Sequence, residues 1–203
     1  MKILPFILIL FILACETDIE QDILDSYIII GDQEATISVL NDTTVYPPEF
    51  SDGTFFSIDL DSDGTIDFDF YGYNRSSQCF HGSEIGIDCH SEQNRIMCYD
   101  SIQTPRILDE GDTLFCVGEW LSEKFEISGL SFVCIIGGGD GILYRDGFWR
   151  GTSEKYMGLM IEKEEYLILG WIKLSFPDTD GGTLMTLHEI GYKKAAFDTT
   201  DYQ

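Results

Sequence analysis

Basic side chains are scarce in this sequence of 203 residues, which has 12 lysines and arginines against 36 aspartates and glutamates and a formal charge of −24. Proteins that bind nucleic acid need a basic surface to neutralise phosphates, so a nucleic-acid partner is excluded. Anionic lipid headgroups would be repelled for the same reason. Any contact of this protein with a membrane is therefore not expected to depend on electrostatic attraction to lipid headgroups.

Catalytic motifs are also lacking. The chain has three histidines and contains neither the Gly-x-Ser-x-Gly turn of α/β-hydrolases nor the His-Glu-x-x-His motif of zinc proteases. A glycine-rich turn at residues 137–141 lacks the Lys-Ser/Thr pair and the following helix of a phosphate-binding loop. A carboxylate pair for glycoside hydrolysis cannot be recognised from sequence, because its separation in space defines it. The sequence thus names no catalytic residue.

Long apolar runs are confined to the N-terminus. Lys2 precedes an apolar run over residues 3–13, which is too short to span a bilayer as a helix and predicts a secretory signal peptide over residues 1–14. The segment ending in Ala14-Cys15 resembles the lipobox of bacterial lipoproteins, which implies cleavage before Cys15 and acylation of that residue. Several acyl chains would anchor the protein stably. An ordinary signal peptide with a chance cysteine is the alternative.

An acidic tether is expected at residues 15–26. Its acidic residues resemble the short export signals of lipoproteins displayed on the outer face of the cell, and a solvated tether is the alternative. The remaining residues 27–203 suffice for a single domain, because neither a repeat nor a linker marks a boundary. The expected location is the outer membrane of a bacterial envelope, facing outward.

An all-β fold is predicted for the domain, as an antiparallel β-sandwich or jelly roll. Short β-rich runs recur with turn signals about every eight to twelve residues, and helical period is weak and confined to residues 118–126. Residues 41–48 are predicted to be a connection, because they end in two prolines. The predicted strands are 27–30, 35–40, 56–60, 66–70, 79–88, 95–99, 113–117, 124–127, 130–136, 155–161, 166–176 and 183–192.

A calcium loop is predicted between the strands at 56–60 and 66–70. Aspartates at every second position around Gly64 can converge on one hard cation, since a glycine permits the sharp turn. The spacing matches the first nine positions of an EF-hand loop, but the twelfth is Phe70 where an EF-hand has a glutamate. An acidic turn with solvated carboxylates is the alternative. The predicted Ca²⁺ ligands are Asp59, Asp61, Asp63, Thr65 (through its carbonyl), Asp67 and Asp69.

Five cysteines follow Cys15, and in an exported protein they are expected to oxidise in pairs, leaving one over. The disulfide candidates are Cys79, Cys89, Cys98, Cys116 and Cys134. The first three lie in a polar stretch, so a bridge is predicted among them. The last two lie in apolar runs, where they could bridge strands or pack as small apolar side chains. A zinc site at Cys79, His81, Cys89 and His90 is a weaker alternative.

The last third of the chain carries a family resemblance. The segments 156–159, 170–174 (Gly-Trp-Ile-Lys-Leu) and 188–192 (His-Glu-Ile-Gly-Tyr), with the Asp59–Phe68 stretch upstream, resemble a poorly characterised group of secreted and lipid-anchored bacterial β-sandwich proteins. The resemblance spans residues 55–192. It implies a fold and an exterior location, but neither an activity nor catalytic residues.

The favoured function is therefore a calcium-stabilised, lipid-anchored surface module, non-catalytic, that binds a glycan or a protein. Trp120 or Trp149 could stack on a sugar, because both lie in more polar contexts than Trp171. Residues 178–181 could supply a second ion site or form a turn. An extracellular carbohydrate-active hydrolase and a structural envelope protein are the alternatives.

Overall fold

The computed structural model describes residues 27–32, 34–48, 53–77, 80–99, 104–133, 142–177 and 184–195. These residues form strands joined by turns, and no helix long and apolar enough to cross a bilayer occurs among them. The strands are β1 (Tyr27–Ile29), β2 (Thr36–Val45), β3 (Thr54–Ile58), β4 (Phe68–Ser77), β5 (Phe80–Cys89), β6 (Asn94–Met97), β7 (Thr113–Phe115), β8 (Trp120–Leu121), β9 (Lys124–Val133), β10 (Ile142–Asp146), β11 (Lys155–Glu162), β12 (Leu167–Ser175) and β13 (Met185–Ala195).

Two large antiparallel sheets make up the sandwich. One has the strand order β10-β9-β5-β4-β3, and the other has the order β2-β13-β12-β11-β6-β8. A small sheet pairs β1 with β7. The all-β antiparallel sandwich predicted from the sequence is confirmed.

The main core lies between the two large sheets. Alternate side chains of each strand point inward, as the two-residue period of a β-strand requires. Phe68 and Phe70 of β4 are fully buried and share a cluster with Met157 and Leu159 of β11. The alternation of apolar residues along the sequence therefore identifies the side chains that face this core.

The six-stranded sheet is buried on both faces at β11 and β12, which explains why these strands are apolar almost throughout, whereas its edge strand β2 is largely exposed. A second core cluster forms where β1 and β7 cover its outer face, with Ile28 and Leu114 on one side and Trp171 on the other. Trp171 lies flat over Gly191, where an added Cβ would come within 2.4 Å of the indole ring. Gly191 is thus required by close approach of the ring.

Several strand boundaries differ from the prediction. A connection was predicted over residues 41–48, but strand β2 continues to Val45. Asn41 and Asp42 adopt left-handed conformations (φ 51° and 54°) at an irregularity, and β2 stays paired with β13 on both sides of it. The segments 124–127 and 130–136 were predicted as two strands, but β9 runs without a break to Val133. The weak helical pattern at 118–126 belongs to β8 and the start of β9. Strand β10 was not predicted.

Candidate metal site and adjoining cleft

The loop over residues 59–67 joins β3 to β4. It closes where the amide N–H of Asp67 donates to the Ile58 carbonyl at 2.8 Å. Left-handed conformations at Ser62 (φ 60°) and Gly64 (φ 92°) supply the sharp turn expected of the predicted loop.

Three of the predicted ligands converge in this loop. Asp59, Asp61 and Asp67 each place one carboxylate oxygen within 4.8 Å of the others. Oxygens gathered in this way are the ligand type that Ca²⁺ binds. The side chains thus meet the first requirement of a calcium site, with further oxygens left to water, backbone or a ligand.

Loop amides orient these carboxylates. Asp59 accepts the amide N–H groups of Asp63 (3.1 Å) and Gly64 (2.8 Å), and Asp67 accepts the N–H of Leu60 (2.8 Å). Each bond ties a carboxylate to the turn that carries it. The triad is therefore organised by the loop itself.

Asp67 is the buried member of the triad, at 3% exposure. Burial raises the pKa of its carboxyl to about 6, with a further increase from the nearby Asp61 charge and an opposing decrease from the Leu60 hydrogen bond.

The alternating sequence pattern predicted that the Ile66 side chain faces the core and the Asp67 side chain faces solvent, but Ile66 is 37% exposed. The reversal arises because β4 begins only at Phe68, so residues 66 and 67 belong to the loop.

Lys163 supplies a positive charge from a distant part of the chain. Its Nζ lies 2.7 Å from Asp61 Oδ2 and 3.0 Å from Asp63 Oδ2, and these bonds raise the pKa of the ammonium. The hydrogen bond from Lys163, together with the one from the Thr65 N–H, lowers the pKa of the Asp63 carboxyl. Lys163 lies 100 residues from Asp63 within a charged run, so sequence reasoning had no signal for it.

The other predicted ligands have different partners. The Asp63 carboxylate binds Lys163 and the Thr65 N–H (2.8 Å). The Asp69 carboxylate binds His90 Nε2 at 2.8 Å. Their calcium roles, and that of the Thr65 carbonyl, remain predictions.

A cleft of about 540 Å³ adjoins the loop. Asn94 ties its wall to the loop, because its amide donates to the Asp67 carbonyl at 2.8 Å in a buried position. Most lining residues are polar, and they include no Phe, Tyr or Trp among the residues that the structure describes. The cleft is lined by Asp63, Thr65, Ile66, Asp67, His90, Ser91, Gln93, Asn94, Ile161, Glu162 and Lys163.

Three of the predicted disulfide candidates are described, and all are free thiols: Cys89, Cys98 and Cys116. A bridge between Cys89 and Cys98, one of the predicted pairings, is therefore wrong for this structure. Burial raises the pKa of both thiols to about 12, so they pack as small apolar side chains at the core. Cys79 and Cys134 lie where side chains are not described, as does the anchor Cys15.

The zinc alternative loses two of its candidate ligands to other roles. The Cys89 side chain packs against the main core cluster. The His90 ring is paired with Asp69. The second ion site proposed at residues 178–181 lies outside the described residues.

The tryptophans considered for sugar stacking are buried. Trp149 is fully buried and its indole N–H donates to the Pro105 carbonyl at 2.8 Å. Trp120 is 8% exposed and donates to the Phe115 carbonyl at 3.2 Å. Neither ring face can stack on a ligand, so that expectation is wrong.

No protein-family model, curated protein or solved structure matches the chain. The resemblance of residues 55–192 to secreted β-sandwich proteins therefore stays a prediction.

Proposed function

We propose that this protein is an exported, lipid-anchored β-sandwich module that binds Ca²⁺ through Asp59, Asp61 and Asp67 and holds a glycan or a protein segment in the adjoining cleft. The observation that carries the proposal is the convergence of the three carboxylates within 4.8 Å at the border of a polar cleft. The two features share Asp67, so an ion at the loop would act directly on the wall of the cleft.

Calcium would stabilise the loop by neutralising charges that crowd one another. Without it, the buried Asp67 carboxylate is costly to ionise, as its raised pKa indicates. Lys163 compensates Asp61 and Asp63 through direct ion pairs from the β11-β12 turn. A bound ion therefore complements Lys163, and the pair would hold the loop against the β11-β12 turn.

Several groups that line the cleft can bind a glycan. Gln93 offers an amide, Ser91 a hydroxyl, and Glu162 a carboxylate, and these groups suit the donors and acceptors of sugar hydroxyls. A Ca²⁺ ion with open coordination positions could also accept hydroxyl oxygens.

The lipid anchor is supported by the sequence of residues 1–15 alone. Labelling with a fatty acid analogue should succeed for the wild-type protein and fail for Cys15→Ala. Protease added to whole cells should remove the protein if it faces outward. Protection on whole cells together with cleavage after lysis would contradict the outward orientation.

The calcium site is tested by calorimetry on purified protein with two matched variants of the same loop. Asp59→Asn should abolish calcium binding, because it removes one charge of the triad. Asp63→Asn should retain it, since the Asp63 carboxylate binds Lys163 instead. Equal losses in both variants would favour the wider ligand set predicted from sequence, and no heat in the wild type would refute the site.

The cleft is tested on immobilised polysaccharides with calcium or chelator. We expect calcium-dependent retention that Asp59→Asn loses and Asp63→Asn keeps. Released reducing ends would instead favour the carbohydrate-active hydrolase. Absence of both retention and release would favour a protein partner or a structural role in the envelope.

A further inference from the structure

Ser175, His188 and Asp42 form a hydrogen-bonded chain across three neighbouring strands, β12, β13 and β2. The Ser175 Oγ lies 2.8 Å from His188 Nε2, and His188 Nδ1 lies 2.6 Å from Asp42 Oδ1. In β12 the neighbouring Leu174 belongs to the main core, so Ser175 faces the opposite, outer side of the sheet. This chain of side chains is separate from the calcium loop and its cleft.

The polarity of the chain follows from its ends. A carboxylate accepts hydrogen bonds only, so the Nδ1 nitrogen of His188 carries the proton and donates it to Asp42. In the neutral imidazole Nε2 is then unprotonated and accepts the Ser175 hydroxyl. This order of nucleophile, base and orienting acid is that of serine hydrolases, which are recognised by geometry and not by position in the sequence.

Backbone irregularities gather at these residues. His188 has no partner residue in either neighbouring strand. Leu187 and Glu189, on either side of it, pair with two consecutive residues of β12, and the register between β13 and β2 also shifts between Leu187 and Glu189. Such bulges re-aim side chains and are frequent beside active sites. A regular strand would place the imidazole elsewhere.

Left-handed backbone is concentrated here as well. Of the described non-glycine residues with positive φ, Asn41, Asp42 and Glu154 (φ 51°, 54° and 51°) lie at this chain, and only Ser62 lies elsewhere. Left-handed residues of this kind cluster at active sites. The fold thus places irregular backbone at the point where the three side chains meet.

Glu154 and Lys173 lie beside Ser175. The amide N–H of Glu154 donates to the Ser175 Oγ at 2.8 Å and so fixes the position of that oxygen, and the Glu154 carboxylate holds the Lys173 ammonium at 3.0 Å. Lys173 stands two residues before Ser175 on the same face of β12. A fixed cation on this face would favour the negative charge that develops on a carbonyl oxygen under attack.

We infer that Ser175 is a nucleophile for carboxylic esters, with His188 as its general base and Asp42 as the positioning residue. The Ser175 Oγ would attack the ester carbonyl carbon while its proton passes to His188 Nε2. The bond to the alcohol oxygen then breaks, and that oxygen takes the proton from His188. Water attacks the acyl-serine with His188 as base, which releases the acid and returns the proton to Ser175.

An ester is the substrate class because its carbonyl carbon is more electrophilic than that of a resonance-stabilised amide, and the oxyanion here has few donors. The site is accessible, since the side chains of His188 and Asp42 are 23% and 76% exposed. An open sheet face of this kind can reach an acyl group attached to a large substrate. The inference is independent of the calcium site and of the cleft.

Covalent labelling of the purified full-length protein with a fluorophosphonate tests the nucleophile. Peptide mass spectrometry should find the phosphonyl group on Ser175. Ser175→Ala should lose the label, and His188→Gln should slow labelling by at least about a hundredfold, the usual contribution of a general base. The control variant Ser153→Ala changes an exposed serine next to Glu154, and it should be labelled like the wild type.

Asp42→Asn tests the positioning role through the pH profile of labelling. The charged groups around His188 are Asp42, Glu154, Lys173 and Glu189. The variant should label far more slowly and with a displaced pH profile, because the amide favours the wrong tautomer. An unchanged profile would remove Asp42 from the assignment.

Hydrolysis of p-nitrophenyl acetate gives the catalytic readout. Turnover that disappears in Ser175→Ala, with an unchanged melting temperature, supports the activity. Labelling that is absent, that falls on other serines, or that is unaffected by His188→Gln would overturn it and leave a structural hydrogen-bond chain across three strands.

Discussion

Calcium affinity should rise about tenfold between pH 5 and pH 7, because Asp67 must lose its proton before it binds the ion. With the pKa of its carboxyl raised to about 6, roughly 9% of Asp67 is ionised at pH 5 and roughly 91% at pH 7. Calcium bound by the ionised form alone then gains about 1.4 kcal/mol over this range.

The raised pKa of Asp67 also makes the stability of the calcium-free protein depend on pH, but in the opposite direction, because this stability falls as the pH rises. A carboxyl whose pKa rises on folding, here from 3.8 to about 6, binds its proton more tightly in the folded state. Its contribution, about 3 kcal/mol from the size of the shift, is present below about pH 4 and is lost as the pH rises through about 6. Added calcium should offset this loss.

Isothermal calorimetry at pH 5, 6 and 7, with thermal melts in calcium and in chelator, measures both effects. Asp67→Asn should abolish binding and flatten the pH dependence, because an amide can still accept the Leu60 N–H but carries no charge. Asp63→Asn in the same loop should keep the wild-type dependence. An affinity that stays within twofold from pH 5 to 7, or an unimpaired Asp67→Asn variant, contradicts Asp67 as a ligand.

Three further changes have defined outcomes. Lys163→Met should lower the calcium-free unfolding free energy by about 1 kcal/mol, and calcium should restore part of it, because Asp61 loses its partner; urea unfolding measures both. Gly191→Ala should cost about 1–3 kcal/mol or more, seen as a lower melting temperature, since its Cβ would meet the Trp171 ring at 2.4 Å. Cys98, buried and with its pKa raised to about 12, should be alkylated slowly at pH 8 until the protein unfolds, as followed by mass spectrometry.

Each of these outcomes has a control. Lys155→Met removes another surface ion pair, with Asp109, and should not respond to calcium. Stability unchanged in Gly191→Ala would mean that the Trp171 ring can move aside. Rapid alkylation of Cys98 in the folded protein would show that its thiol is reachable by solvent.

The strands and the loop were predictable because their signals are local. Alternation of apolar residues identifies most strands, and the spacing of aspartates around Gly64 identifies the loop in which Asp59, Asp61 and Asp67 converge. The buried position of Asp67 was not predictable. It depends on where β4 begins and on the Leu60 amide that the carboxylate caps.

The burial of β12 on both faces was partly predictable. The unbroken apolar pattern of β12 indicates a strand that is covered on both sides. Which elements cover it does not follow from the pattern, because β1 and β7 are paired across more than eighty residues of chain.

The sequence by itself determined the fold class, the acidic character and the calcium-loop spacing, since each depends on composition or on residues within about a dozen positions of one another. The tertiary structure alone decided which distant side chains meet. Lys163 reaches the loop across 100 residues, and Asp42 reaches His188 across 146. Contacts of this kind follow from strand order and from bulges, and neither leaves a periodic signal in the chain.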